Sequence, residues 1–507
     1  MLLLTWPIAW LTGIPEPTLR LLSTIALAYP IARLYNKMFF KDDRTPGPIS
    51  SGTVTERNAF IVTAGLGLSL FFNRSKIYHS LVTVAVSYGL LYLSDKQHKR
   101  KLGTAAVWIF NAVYLLLGYI FEATDDYDVS WTMPQCILCL RLMGFSFDFL
   151  DGETSVVEVE GPAIKGHAAA LRPTEEKKPP SDLPLSFSND TPLRELPSFV
   201  EVLGYCFFPS AFLVGPQFSF SLYRRWLMSQ HSAVKASAVA QEEWEKAQMR
   251  YVLRCLGLGI LYLLAQQVIG SQYPTSYLLT PEYAELPFLK RIFIMTVSGK
   301  FVFGKYLGVW LLTEGATAYF GISYEGDDEH GMAQFGGLAN ALPFKMETAT
   351  SIDHVIASFN VNTNLWTKYY VFKRLKFLGN KQLSQIGALA FLALWHGFHA
   401  NYFTTFLQEF LVVESERVLR KRLVPLVEPY TKRNPVYFYA WKAVSWLTCM
   451  LILYYSVIQF DLLKLGKAWT AYKNVYFFGH LAVFAILIAD KFVLGPQPIH
   501  LRPKKTQ

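Results

Sequence analysis

The sequence predicts an all-α fold: a polytopic bundle of transmembrane helices. Three observations lead there. Hydrophobic residues make up 52% of the chain and charged residues only 17%, below the ~25% charged residues of ordinary soluble domains. The apolar residues gather in uncharged runs of about 20 residues, the length a helix needs to cross a bilayer core. The basic residues behind the net charge of +10 fall mainly between those runs, as at Lys96, Lys99, Arg100 and Lys101. Juxtamembrane loops facing the cytoplasm carry such charge, so no nucleic-acid partner is expected. A soluble enzyme, a disordered chain and a fibrous repeat are set aside on the same composition.

From the N-terminus, residues 1–16 (MLLLTWPIAWLTGIPE) place two Trp among Leu and Ile. They lack the basic start and small-residue cleavage site of a signal peptide, and a helix lying in the interface is expected. Candidate spans follow at 17–36, 57–73, 76–94, 104–122, 134–150, 198–222, 250–270, 289–313, 384–411, 437–459 and 473–494. That makes about ten or eleven membrane segments in one integral-membrane domain over 1–507. Residues 151–197 are rich in Pro and charge without periodicity, the pattern of an exposed polar loop. Residues 231–250 read as a polar helical connection and 495–507 as a basic tail. No fixed-period repeat and no transporter-like inverted half stands out. Cys136 and Cys139 form a C-x-x-C without a second pair; two small hydrophobes on a buried helix explain it better than zinc or redox chemistry.

Function is expected in residues 325–416. This region opens with a polar stretch (EGDDEHGMAQFGG), passes through SIDHVIASFNVNTNLWTKYY and the basic VFKRLKFLGNK, and only then enters an apolar run. His396 lies inside that run, where an ionisable residue is costly and so marks a site by default. An imidazole withdrawn from water stays neutral, which suits a base for an alcohol proton; a satisfied interhelical hydrogen bond is the bland alternative. His399 is expected on roughly the same helix face as His396, orienting it or lining the same cavity. No metal is expected, because no Glu-x-x-His pattern or Cys cluster accompanies the two.

Asn360, Asn362 and Asn364 alternate just before Trp366, Tyr369 and Tyr370. An Asn amide can donate to a developing oxyanion or orient an imidazole, while turn or cap formation accounts equally for an Asn cluster. Lys368, Lys373, Arg374, Lys376 and Lys381 form a positive patch without an acid among them. Topology explains most such runs; phosphates of an anionic cosubstrate are the sharper reading. Asp148 and Asp151 end an apolar run, and Gly215-Pro216 interrupts another, a break or kink at a cavity wall.

Leu394-Trp395-His396-Gly397, with an Asn-containing block 36 positions before the His, resembles the membrane-bound O-acyltransferase signature. Within that family the chain looks closest to lysophosphatidylcholine acyltransferases that handle polyunsaturated chains. The stretches carrying this are YDVSWTMPQCILCLRLMG (127–144), FLVGPQFS (212–219), LLTPEYAELPF (278–288), ASFNVNTNLW (357–366), FKRLKFLGNKQLSQ (372–385) and LALWHG (392–397).

The resemblance implies a helical bundle enclosing a reaction chamber. It implies transfer of an acyl chain from acyl-coenzyme A to the sn-2 hydroxyl of a lysophospholipid, with acyl-coenzyme A as cosubstrate and no cofactor. By position His396 matches the catalytic histidine and Asn360 the family's second catalytic residue. His399, Trp366, Tyr369, Lys373, Arg374 and Lys376 are the expected substrate-binding residues. The expected setting is the endoplasmic reticulum membrane, which the di-lysine pattern Lys504-Lys505-Thr506-Gln507 suits. Membrane lipids are expected partners, and a homo-oligomer is left open. Acylation of a sterol, a diacylglycerol or a protein is the alternative among enzymes; a lipid transporter or a silent lipid-binding scaffold is the alternative outside them.

Overall fold

The computed structural model describes residues 2–39, 50–122, 129–160, 184–188, 190–229 and 238–493. In chain order its helices are α1 (Leu2–Thr12), α2 (Glu16–Phe39), α3 (Ser51–Asn73), α4 (Ile77–Lys96), α5 (Arg100–Glu122), α6 (Thr132–Glu160), α7 (Phe199–Cys206), α8 (Phe220–Met228) and α9 (Ala238–Val268). They continue with α10 (Pro281–Glu285), α11 (Phe288–Tyr319), α12 (Pro343–Glu347), α13 (Ile352–Ile356), α14 (Val361–Thr367) and α15 (Lys381–His396). The last four are α16 (Ala400–Arg433), α17 (Pro435–Leu462), α18 (Leu465–Lys473) and α19 (Phe478–Ile488). A two-residue antiparallel pairing of Gly326–Asp327 with Ala333–Gln334 is the only sheet among the described residues.

The helix faces are reversed relative to a soluble bundle. On α4 the buried positions are Ser80, Thr83, Val84, Ser87, Leu91 and Ser94. On α5 they are Gly103, Thr104, Val107, Asn111, Leu115 and Gly118. Spacings of three and four put each set on one stripe. The exposed side of α5 instead carries Leu102, Ile109, Val113, Leu117, Ile120 and Phe121. Small and polar groups turned inward with large apolar groups outward is the arrangement hydrocarbon favours. Asn111 Nδ2 donates to Ser87 Oγ at 2.9 Å across this pair.

Six helical stretches among the described residues are long and apolar enough to cross a membrane: Ser51–Lys96, Arg100–Glu122, Thr132–Glu153, Gln241–Leu279, Phe288–Tyr319 and Pro435–Leu462. Leu465–Lys473 with Phe478–Val493, bent by 85°, makes a seventh if the pair is one span. The ten or eleven expected segments therefore include some that are not simple spans. Residues 17–36 lie in α2, which carries Glu16, Arg20, Arg33 and Lys37 and is not one of the six.

Residues 198–222 are split into α7 and α8 by a turned segment containing Gly215-Pro216. Buried Arg141 of α6 meets the carbonyls that this break leaves without helical partners. It donates to Tyr205 O at 2.5 Å, Ala211 O at 2.9 Å and Pro216 O at 3.3 Å. The segment is apolar because it is buried in protein, where irregular backbone is tolerated once its polar groups are paired.

The expected polar loop 151–197 also begins later than expected, since α6 continues to Glu160. Its far end is only partly exposed: Arg194 and Glu195 are exposed, but Phe187 and Leu193 are buried, and Leu193 N donates to Asp148 O at 2.8 Å. Residues 161–183 and the tail 495–507 lie outside the described residues. In 1–16, Trp6 and Trp10 stand exposed on α1. Residues 238–250 of the expected polar connection form the start of α9.

Candidate active site

Around the site, α11 packs on α9 and α17, and α16 packs on α15 and α17. The α11–α17 contact is backbone to backbone at Gly299, where a Cβ would stand 2.1 Å from Tyr454 O. Between these helices lies an open cavity. Its walls include Phe303, Tyr306 and Trp310 of α11 and Phe460 of α17. His396 and Asn360 both line it.

His396 is the last residue of α15, not an interior one. Gly397 ends the helix at φ 127°, a conformation open to glycine and strained for residues with a Cβ. The chain restarts at α16 with His399 in the N-cap position. The expected single span 384–411 is thereby corrected, and with it the expectation that His396 and His399 share a face: Gly397 interrupts the helical register between them. Hydrophobic patterning cannot register such a break, because the flanking residues are apolar on both sides.

Neighbouring helices hold the break in place. Tyr119 Oη of α5 donates to Trp395 O at 2.9 Å, and Trp395 Nε1 donates to Cys136 O of α6 at 2.9 Å. The His396 ring is surrounded by Phe460, Tyr402 and Phe406, with centroids at 5.0, 5.4 and 5.6 Å. Among the described residues neither of its ring nitrogens has a hydrogen-bond partner. An unengaged imidazole on a cavity wall can accept a proton from a bound hydroxyl.

Asn360 caps α14 in the left-handed conformation, φ 49° and ψ 44°, which Asn tolerates better than most residues. Its Oδ1 accepts from Asn340 Nδ2 at 3.4 Å. Asn340 is fixed in turn: its backbone N donates to Glu314 Oε2 at 2.9 Å, and its Oδ1 accepts from Asn362 N at 3.1 Å. Tyr251 Oη donates to Glu314 Oε1 at 2.7 Å. Asn362 Nδ2 donates to Leu338 O at 3.0 Å and Asn364 Nδ2 to Phe359 O at 2.9 Å. Two of the three alternating Asn thus brace the turn. The third has no partner for its amide NH₂ among the described residues.

The remaining expected binding residues are not on this cavity. Trp366 packs among Phe391 and Trp108, at 5.6 and 6.0 Å. Tyr369 stacks on Phe187 at 4.1 Å, with Lys373 Nζ 4.1 Å from its ring centroid. Arg374 donates to both carboxylate oxygens of Asp151, at 2.9 and 2.5 Å, and covers the Phe147 ring. A charge so paired ties α6 to the basic segment; no acid stands within that segment, and the partner comes from 223 residues away. Lys376 and Lys381 are exposed, and His399 faces Tyr402 at 5.8 Å. Asp148 accepts from Tyr370 Oη at 2.7 Å.

Sequence reasoning missed Asn340, Glu314, Tyr306, Trp310 and Glu409, which line the cavity or brace it. A signal existed for two of them. Glu314 and Glu409 are carboxyls within apolar stretches, and the rule that singled out His396 applies to them equally. Among the described residues no three His, Cys, Asp or Glu side chains come together as metal ligands would.

Residues 116–457 match the membrane-bound O-acyltransferase family. Curated proteins named "Lysophospholipid acyltransferase 5" align over most of the chain. The Drosophila melanogaster protein is 37% identical over 82% of this chain and 74% of its own length. The Mus musculus protein is 33% identical over 95% of this chain and 90% of its own. A Schizosaccharomyces pombe protein named "Lysophospholipid acyltransferase" is 24% identical over 94% of this chain and 86% of its own.

Proposed function

Since this chain belongs to the membrane-bound O-acyltransferase family and is therefore an acyltransferase, we propose that it transfers a polyunsaturated acyl chain from acyl-coenzyme A to the sn-2 hydroxyl of a lysophospholipid. Lysophosphatidylcholine is the proposed first acceptor, with the ethanolamine and serine lysophospholipids beside it, in phospholipid remodelling. The observation that carries the reaction is that His396 and Asn360, 36 positions apart in sequence, line one cavity. What favours a lysophospholipid over a sterol, diacylglycerol or protein acceptor is likeness along nearly the whole chain, not at the His alone.

In this reading His396 takes the proton of the acceptor hydroxyl as its oxygen attacks the thioester carbonyl. The thioester C–S bond breaks, coenzyme A leaves as the thiol, and the acyl chain ends as an ester. The Asn360 amide NH₂, left open by the Asn340 contact, donates to the oxygen that gains charge in the tetrahedral intermediate. A donor of that kind is typically worth ~2.7–4 kcal/mol in the transition state. No covalent acyl-enzyme is needed, because one cavity holds the base and the donor together.

Lys373 and Lys376 remain candidates for coenzyme A phosphates approaching from outside the cavity. The endoplasmic reticulum is the proposed membrane.

The test is acyl transfer by the purified chain in detergent. Lysophosphatidylcholine and a mixture of acyl-coenzyme A donors would be supplied, and products read by mass spectrometry. Formation of phosphatidylcholine enriched in polyunsaturated chains supports the reading. Transfer only to cholesterol, diacylglycerol or peptide would redirect the acceptor, and transfer to none would favour a transporter.

A further inference from the structure

The cavity wall carries one group that the proposed reaction does not use. Glu409 of α16 lines the chamber together with His396 and Asn360, and among the described residues none that lines it is Lys or Arg. Among the described residues no ion pair or hydrogen bond engages the Glu409 carboxyl. Removing a carboxyl from water without a partner is expensive. Such a carboxyl either takes up a proton or meets a counter-charge, and a cationic ligand would supply that charge.

Three aromatic rings on the same wall suit a cation. Trp310 and Phe359 stand 4.8 Å apart and nearly edge to face, with Tyr306 5.9 Å from Trp310. All three rings line the same chamber as Glu409. Aromatic faces attract ammonium groups, quaternary ones included, and a nearby carboxylate adds to that attraction. A headgroup without a positive charge would find neither interaction satisfied, and an anionic one would meet the carboxylate directly.

We propose that Glu409, with the Tyr306, Trp310 and Phe359 rings, forms the subsite that selects lysophospholipids whose headgroup carries an ammonium. This deepens the function proposed above and rests on the lysophospholipid reading. Glu409 acts here as a specificity residue: it touches the headgroup and takes no part in proton transfer.

The experiment compares lysophosphatidylcholine with lysophosphatidylglycerol of the same acyl chain as acceptors for the full-length protein, wild type and Glu409→Gln. The readout is the ratio of their kcat/KM values. Wild type is expected to favour the choline acceptor, and Glu409→Gln to reduce that ratio at least about tenfold, the scale of one lost charge contact. A ratio unchanged in Glu409→Gln would overturn the subsite while leaving the lysophospholipid reading intact. A wild type that acylates neither acceptor would overturn the function reading and the subsite with it. If Glu409→Gln fails to fold, equilibrium binding to wild type decides instead: equal affinity for the two lysophospholipids overturns the proposal, and tighter binding of the choline lipid supports it.

Discussion

The amide of Asn340 points its Nδ2 at Asn360 Oδ1, 3.4 Å away. The direction of that contact follows from a fixed donor. The backbone N–H of Asn362 can only donate, so the Asn340 oxygen must face it and the Asn340 NH₂ must face Asn360. Asn360 then has to present its oxygen to Asn340, which leaves its own NH₂ free. A backbone amide two residues along thus sets which end of the proposed oxyanion donor is available.

Asn340→Asp tests this chain of contacts. It replaces the donor facing Asn360 with an acceptor and leaves size unchanged. Loss of one such hydrogen bond predicts about a tenfold fall in kcat with KM nearly unchanged. A merely structural role would lower the amount of folded protein without moving kcat per folded molecule. Steady-state kinetics normalised to folded protein separates the two.

Gly397→Ala is expected to damage both stability and rate. A Cβ at φ 127° is strained, by about 1–3 kcal/mol, and relief of that strain would shift His396 one residue before it. There is room for the methyl itself, since the nearest atoms would be 3.6 Å away, so any loss reports conformation and not collision. Thermal unfolding in detergent and initial rates, measured on the same preparation, check it.

Trp395→Phe removes the indole donor to Cys136 O while keeping an aromatic ring in place. Cys136 O keeps its partner within α6, so loss of the indole bond predicts about 0.5–1.5 kcal/mol lost in stability. Activity should fall further than Tyr119→Phe, which also removes a hydrogen bond at the break but leaves the Trp395 ring anchored. Equal activity in the two variants would show that the α6 anchor does not position His396.

Gly299→Leu is expected to separate α11 from α17, because even a Cβ would overlap Tyr454 O. Both helices supply cavity walls. The expected outcome is poor folding, with Gly299→Ala intermediate at about 1–3 kcal/mol of destabilisation. Fluorescence size-exclusion profiles and thermal unfolding read the order.

The membrane bundle is legible in composition because a bilayer imposes length and apolarity on every span. The pair His396 and Asn360 is legible because an ionisable residue in an apolar run and an Asn cluster beside a basic stretch are unusual, and because the surrounding motifs resemble one family. Other features escape that reading. Residues 198–222 are as apolar as a span but are buried in protein around Arg141, and hydropathy does not tell lipid from protein. The break at Gly397 depends on one backbone angle. Asn340 and Glu314 act through contacts 20 and 26 residues away in sequence, and Arg374 through one 223 residues away, distances over which local pattern carries no information.

The most direct test of the proposed active site is the acyl-transfer rate of His396→Ala and Asn360→Ala against wild type, at equal folded protein and saturating acyl-coenzyme A. Loss of the base predicts a fall of about 10²–10⁴ in kcat, and loss of the oxyanion donor a fall of about 10²–10³. If His396→Ala turns over lysophosphatidylcholine as fast as wild type, His396 is not the base and the account of this cavity as the active site is wrong.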